Sequence, residues 1–371
     1  MSHVIAIDAR KLGDFGIGTY IENLLRGLAA LDAESRYVLF VSPEAEPPDL
    51  PGNFSTVTEA SGLYSIRELF ALSWRLHRLR PDLFHATHYV LPLRLPCATV
   101  VTIHDIIHLL FPDFLPNRFA EIYARLMIQR SLRSSDRVIA VSNNTREDLR
   151  RTFRVDPDKI DVIYNGVDPS FFEPSDADDA ELQELGLEPG YVLFVGNPKP
   201  HKNLDRVLQA YAAARPKLER PVPMVCAGAR RGSDGILRQK TEAMGIGDAV
   251  HWLGHVPEKQ LRTLYRGAGL FVYPTLYEGF GLPVIEAMAS GTPVITSNNS
   301  ALREIAEGYA HLVSPLEVDE IEAAIVHCLN DREHARSLAT LGRRRAADFR
   351  WAETARQTLD LYRSVLNENE R

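Results

Sequence analysis

The chain has 371 residues, 45% apolar, 25% charged and 8% aromatic, a globular composition that excludes disordered and collagen-like classes. At roughly 100 to 200 residues per domain, two domains are expected. Lys and Arg total 42 against 49 acids, and the net charge of -7 removes the basic excess of a nucleic-acid binder, so no nucleic-acid partner is expected.

The first residues run directly into an apolar strand at 4–8, without a basic leader or a long apolar stretch, and no run of about 18 apolar residues follows. A cytoplasmic protein without a membrane span is therefore expected. Further short β-branched runs at 37–42, 83–87, 98–103, 137–142 and 162–164 alternate with amphipathic stretches at 20–31, 66–79, 117–132 and 145–153. That alternation predicts parallel strands joined by crossover helices. Residues 168–190 are rich in Pro, Asp and Glu and read as a linker. A second alternation follows, with strands at 191–195, 224–227, 250–253, 270–273, 294–296 and 312–313, and then a long helix at 351–366. Ala355, Leu359, Tyr362 and Leu366 share one face of that helix, which can pack on its own domain or cross back to brace the first. The expected division is 1–172, 173–350 and 351–371.

The first loop reads Gly13-Asp-Phe-Gly-Ile-Gly-Thr-Tyr20. A dinucleotide fingerprint needs Gly or Ala three places after Gly18, where Ile21 stands, so a NAD or FAD reading is weak. Between Gly62 and Arg154 there are 14 arginines and 8 acids, a net of +6. Arg118, Arg125, Arg130 and Arg133 lie in one amphipathic stretch with Phe119, Ile122, Leu126 and Ile128. Such a face suits an anionic membrane surface; a solvated basic face over a buried apolar stripe is the alternative. Histidines cluster at His85 and His88 and at His104 and His108, but neither segment has the His-Glu-x-x-His spacing of helical zinc sites, and no metal is expected. His104 and Asp105 end an apolar strand, at the sheet edge where open α/β folds bind ligands. Ser142 reads as a helix cap and Asn165-Gly166 as a turn. The three cysteines, Cys97, Cys226 and Cys328, are odd in number and widely spaced, which disfavours a disulfide framework and a zinc ribbon.

Val195-Gly-Asn-Pro-Lys-Pro-His-Lys-Asn-Leu204 reads as strand, turn and helix, with Gly196 at the turn and Lys202 placed to meet an anion. Arg230 and Arg231 follow a strand and could flank a nucleotide, though a solvated pair is the simpler reading. The most informative segment is YEGFGLPVIEAMASG at 277–291. Pro283 suits the start of a helix, and the amides from Gly281 onward would face whatever precedes it, an arrangement for phosphate or sugar oxygens. Glu278 in the loop and Glu286 in the first helical turn offer two carboxylates, each able to accept paired hydroxyl hydrogen bonds.

Glu278-x7-Glu286 in this setting resembles the signature of the family-4 retaining glycosyltransferases, and the likeness extends over nearly the whole chain. The resemblance implies a GT-B α/β fold: two doubly wound Rossmann-like domains facing each other across a cleft, with a C-terminal helix crossing back. It implies a nucleotide diphosphate sugar as donor, no cofactor and no metal, and a glycan or lipid-linked glycan as acceptor. Glu278 would contact the transferred sugar, Glu286 the ribose, and the amides around Phe280, Gly281 and Leu282 the sugar and phosphate oxygens. Lys202 matches the family's phosphate-binding lysine, whereas Asn197 stands where many members carry arginine, leaving Lys199, His201 and Arg206 as candidates for a second cation. Gly16, Gly18 and Thr19 match a loop lying against the donor phosphates and the acceptor. His104 is carried over as a contact to the donor sugar, with Asp105 beside it. The text looks most like bacterial mannosyltransferases of polysaccharide and O-antigen assembly, which makes GDP-mannose the first expectation; UDP-glucose, UDP-galactose and UDP-N-acetylglucosamine are alternatives. A GT-B epimerase, a phosphorylase and a non-catalytic sugar-nucleotide-binding protein are competing readings.

Overall fold

The computed structural model describes residues 3–62, 65–114, 117–175, 178–228 and 234–369. Arg230 and Arg231 lie outside them. Two compact units divide the chain: 3–166 with 350–369, and 167–349. Residues 167–172, expected with the first domain, belong to the second, where Phe171 meets the Tyr265 ring at 5.9 Å.

In the first unit, strands β1 (Val4–Asp8), β2 (Arg36–Val41), β3 (Phe54–Thr58), β4 (Leu83–Ala86), β5 (Ala98–Ile103), β6 (Arg137–Ala140) and β7 (Ile160–Val162) form one sheet. Its order is β3-β2-β1-β4-β5-β6-β7, with every pairing parallel. The edge strand β3 was not foreseen because Phe-Ser-Thr-Val-Thr is short and largely exposed. Helices α1 (Phe15–Leu31), α2 (Ile66–Leu79), α3 (Ile107–Leu110), α4 (Arg118–Ser134) and α5 (Asn143–Phe153) supply the crossovers. Ser142 caps α5 by accepting from the Thr145 amide at 3.0 Å.

The second unit carries β8 (Tyr191–Val195), β9 (Met224–Ala227), β10 (Val250–Gly254), β11 (Ala268–Tyr273), β12 (Val294–Ser297) and β13 (His311–Val313), ordered β10-β9-β8-β11-β12-β13 and again parallel. Its helices are α6 (Asp178–Glu184), α7 (Leu204–Ala214), α8 (Gly235–Ala243), α9 (Glu258–Gly267), α10 (Leu282–Ala289), α11 (Ser300–Ala306), α12 (Val318–Asn330) and α13 (Arg332–Ala346). The chain ends in α14 (Trp351–Asn369), which belongs to the first unit.

The strands are nearly continuous apolar runs because parallel sheets are covered on both faces. In the first unit Ala6, Phe40, Phe84, Val101 and Val138 share a core with Leu72 and Leu76 of α2 and Ile128 and Leu132 of α4. The opposite face meets α1 and α14, and polar bonds set its register. Buried His85 bonds through Nδ1 to the Tyr362 hydroxyl of α14 and through Nε2 to Thr102, which also meets Tyr20 of α1 at 2.9 Å. Burial and the nearby His104 lower the His85 pKa to about 3, so it stays neutral and structural. At Gly166 an added Cβ would lie 2.1 Å from the Trp351 nitrogen, so the end of the first unit's outward path packs on the start of its returning helix. Among the described residues no helix is long and apolar enough to cross a membrane.

Candidate active site

Strand order reverses between β8 and β11, and the carboxyl edge at such a switch point is where open α/β sheets bind ligands. The two second-half motifs begin there. After β8 the chain passes Gly196 and turns at Pro200–Lys202 before entering α7. Asn203, at φ 63°, donates to the carbonyls of Pro274 at 2.8 Å and Pro315 at 2.6 Å and accepts from Arg206 at 2.9 Å, while the Leu276 amide donates to the His201 carbonyl at 2.8 Å. These bonds moor the Lys202 turn to the loop after β11.

Lys202 Nζ consequently lies 2.8 Å from Glu278 Oε1 and 2.9 Å from the Tyr273 hydroxyl, which is itself 3.1 Å from the same carboxylate oxygen. The Lys202 and Glu278 side chains are 17% and 13% exposed, so the pair is largely desolvated yet reachable. Burial works against the lysine's charge, but Glu278 and Tyr273 outweigh it and hold the ammonium above the usual lysine range. An ammonium has three donors; two are used here, leaving one for a bound anion.

Gly281 precedes α10 at φ 108°, and a Cβ there would come within 2.4 Å of Leu302 Cδ2, so glycine answers both the left-handed backbone and the close packing. Among the described residues the Gly281 and Leu282 amides have no protein acceptor, while Val284 N–H turns back to the Gly281 carbonyl at 3.0 Å. Phe280 is buried with its ring 5.6 Å from Phe349, so only its backbone can serve a ligand. Because the helix begins at Leu282, Glu286 stands fifth, in the second turn and not the first. Its Oε2 accepts from Tyr265 at 3.0 Å. Burial raises its pKa to about 7, with the Tyr265 bond opposing and Glu258 adding. The two glutamates thus have separate partners, linked by the Tyr265, Phe271 and Tyr273 rings at 5.3 and 5.5 Å.

Three buried side-chain oxygens at this edge have no hydrogen-bond partner among the described residues: Asn197 Oδ1 after β8, Thr275 Oγ1 after β11 and Asn299 Oδ1 after β12. These strands are neighbours in the sheet. Buried acceptors left unmade are costly, and a ligand rich in hydroxyl or N–H groups would relieve them. Of the candidates for a second cation, Arg206 turns to Asn203 and Lys199 is exposed.

In the first unit the corresponding switch point lies between β1 and β4. The glycine-rich segment is not a loop there. α1 already begins at Phe15, so Gly16, Gly18 and Thr19 are helical; the Gly18 amide donates to the Asp14 carbonyl, and the Thr19 hydroxyl points back to the Phe15 carbonyl at 3.3 Å. Gly18 is needed for packing, since a Cβ would sit 2.2 Å from the Leu12 carbonyl oxygen. His104 follows β5, and its Nε2 lies 2.9 Å from the Thr87 carbonyl. A carbonyl only accepts, so Nε2 carries the proton and Nδ1 is an acceptor. Burial lowers its pKa to about 4, the Thr87 bond opposing and Lys11 adding. Asp105 accepts from the Ile107 amide at 3.0 Å, which starts α3.

Several polar residues escaped the sequence reading. Tyr273 and Tyr265 complete the two glutamate sites; a hydroxyl ending the otherwise apolar β11 was a signal for the first, and none pointed to the second. In the first unit buried Arg10 bridges Asp8 at 2.6 Å and Glu68 at 2.7 Å, a contact across 58 residues that spacing could not show.

Comparison with known proteins identifies the family. Residues 16–171 match the family described as Glycosyltransferase Family 4, and residues 177–345 match Glycosyl transferases group 1. The chain is 32% identical to O-antigen chain mannosyltransferase B of Escherichia coli over 293 residues, 78% of this chain and 76% of that one. It is 31% identical to O-antigen chain mannosyltransferase RfbU of Salmonella typhimurium over 267 residues, 67% and 71% of the two chains. Among solved structures, sucrose-phosphate synthase from Thermosynechococcus elongatus superposes with a TM-score of 0.83 at 22% identity, over 99% of this chain and 100% of that one, a likeness of GT-B fold. With both halves matched and close relatives covered over most of their length, the chain belongs to the family-4 glycosyltransferases.

Proposed function

We propose that this glycosyltransferase moves mannose from GDP-mannose to a hydroxyl of a glycan or lipid-linked glycan, with retention at the anomeric carbon and without a metal ion or cofactor. The observation that carries the reading is the Lys202, Glu278 and Tyr273 cluster at the β8/β11 switch point, rimmed by unpaired oxygens of Asn197, Thr275 and Asn299. Lys202 offers its remaining donor to the leaving diphosphate, together with the Gly281 and Leu282 amides ahead of α10. Gly196 follows β8 in this rim and lets the diphosphate approach the backbone. Glu278, held by Lys202, accepts from hydroxyls of the transferred sugar, and Glu286 from the ribose. On the first unit, His104 Nδ1 is an acceptor suited to a sugar hydroxyl, and Asp105 fixes the turn that follows it. Gly16 and Thr19 sit in the first turns of α1, where the helix N-terminus favours an anion.

In the proposed reaction the bond from the anomeric carbon to the diphosphate oxygen breaks as the acceptor oxygen bonds on the same face, and the acceptor proton passes to the departing phosphate. Glu278 is engaged with Lys202 and is not assigned as a covalent nucleophile. Charge on the leaving group is met by fixed donors, which is the work a metal would otherwise do.

A thermal-shift panel of GDP, UDP, ADP and their sugar conjugates, without and then with magnesium, tests donor and metal together. The expected result is a selective rise with the guanine nucleotides, about 2.7 kcal/mol at a hundredfold excess over Kd, without magnesium. A shift confined to UDP compounds moves the reading to a glucosyl, galactosyl or N-acetylglucosaminyl donor. No shift with any of them sinks the sugar-nucleotide reading. Since the Glu286 pKa lies at about 7, its accepting carboxylate forms as pH rises through that value. The Kd for the nucleotide is expected to fall by up to about tenfold from pH 6 to pH 8, and Glu286→Gln to flatten that change.

The proposed setting is the cytoplasmic face of an anionic membrane. On α4 the buried stripe is Ala124, Ile128, Ser131 and Leu132, whereas Phe119, Ile122 and Leu126 are 83%, 54% and 53% exposed beside Arg118 and Arg125. A purely solvated basic face over a buried stripe would not turn three large apolar side chains outward. Sedimentation with vesicles should show binding to phosphatidylglycerol over phosphatidylcholine, weakened at least about fivefold by Phe119→Ser with Ile122→Ser. Equal binding to both lipids, or none, removes the membrane from the proposal.

A further inference from the structure

Outside the residues of the proposed donor site, His311, Cys328 and His334 come together although 23 residues separate the two histidines in sequence. Their Nδ1 or Nε2 and Sγ atoms all lie within 4.8 Å of one another. His311 opens β13, Cys328 is in the last turn of α12, and His334 is the third residue of α13. The helices are joined at Asp331, whose carboxylate accepts from the Glu333 and His334 amides at 3.0 and 2.9 Å and so fixes the first turn of α13. Cys328 is buried at 2% exposure and the two imidazoles are half-buried, so the group is shielded and not a scatter of surface histidines.

We propose that His311, Cys328 and His334 bind one zinc ion, which clamps β13, α12 and α13 of the second unit together. Two imidazoles and a thiolate form a borderline-soft donor set that zinc accepts with tetrahedral geometry. Zn–N bonds of about 2.0 to 2.1 Å at the tetrahedral angle place two ligating nitrogens about 3.3 Å apart. His311 Nδ1 and His334 Nε2 are 3.4 Å apart. Every pair of ligand atoms in the group already lies within 4.8 Å, against about 3.5 Å for a nitrogen and a sulfur on one zinc. A water takes the fourth position. Binding converts the Cys328 thiol to thiolate and releases its proton to solvent.

The ion's role is structural because its three protein ligands lie outside the proposed donor cluster and come from three different elements. His311 lies on the edge strand β13, level with Ile295 of β12 and through it with Val272 of β11, two strands away from the strand that leads into the Glu278 loop. The inference rests on residues outside the proposed donor site and stands or falls independently of the donor assignment.

The test uses the full chain stripped with a chelator and exchanged into metal-free buffer. Titration of zinc against a chromophoric competitor is expected to show one equivalent bound with submicromolar affinity, and cobalt in its place a thiolate-to-metal charge-transfer band. Cys328→Ser should abolish the band, and His334→Gln, at a half-buried position less exposed to folding defects, should weaken zinc binding at least about tenfold. Zinc should raise the Tm of the parent and not of His334→Gln, with nucleotide binding unchanged. Absence of a one-equivalent site, or an undiminished site with folded His334→Gln and Cys328→Ser proteins, overturns the proposal.

Discussion

Lys202→Ala is expected to lower kcat/KM for the nucleotide-sugar donor by about 10- to 150-fold, the loss of one charge-assisted contact worth about 1.5 to 3 kcal/mol. The lysine has two neighbours, so the substitution also removes the partner of Glu278 at 2.8 Å. A second comparison separates the effects. If Lys202 only positions Glu278, then adding Lys202→Ala to a Glu278→Gln background costs nothing further. If it meets the diphosphate, the affinity for free nucleoside diphosphate falls in both backgrounds. A kcat/KM within about threefold of the parent removes Lys202 from the leaving-group site.

Glu278→Ala is expected to reduce turnover by about 100-fold or more while nucleoside diphosphate binding stays within about threefold, because the carboxylate is assigned to the sugar and not to the nucleotide. Truncation leaves the Lys202 ammonium largely buried with only the Tyr273 hydroxyl, at a stability cost of up to about 3 kcal/mol. Glu278→Gln keeps the shape and an accepting oxygen, so it should fold like the parent and still lose most turnover. Retained turnover in a folded Glu278→Gln protein contradicts the assignment, and loss of nucleotide binding in that protein places Glu278 at the diphosphate instead. Detectable turnover in the parent that disappears in the variants also disposes of the non-catalytic reading.

The alternation of β-branched runs and amphipathic stretches was legible because a parallel sheet covered on both faces must be apolar along almost every strand. Strand β3 was the exception, being an exposed edge with mixed polarity. The start of α1 was misplaced because glycines read as loop, yet Gly18 is helical where the chain at Leu12 leaves no room for a side chain. Glu286 was counted into the first turn because Pro283 was read as the first helical residue; the helix begins one residue earlier, at Leu282, directly after Gly281 at φ 108°, so Glu286 stands fifth.

By itself, the sequence determined the α/β class, the two-part organisation and the family, through patterns that are local: strand periodicity, a linker and the Glu278-x7-Glu286 segment. It also singled out Lys202 and Glu278, but not that they touch. That contact spans 76 residues and depends on Asn203 bridging to the Pro274 and Pro315 carbonyls, and on Tyr273 ending the strand between them. The outward turn of Phe119, Ile122 and Leu126 was equally undecided, because an amphipathic pattern says which residues share a helix face and not which face the sheet will cover. The His311, Cys328 and His334 group was invisible for the same reason. Spacing reports ligands only when they share one element, and here a strand and two helices each bring one, so only the packing of those three elements could assemble them.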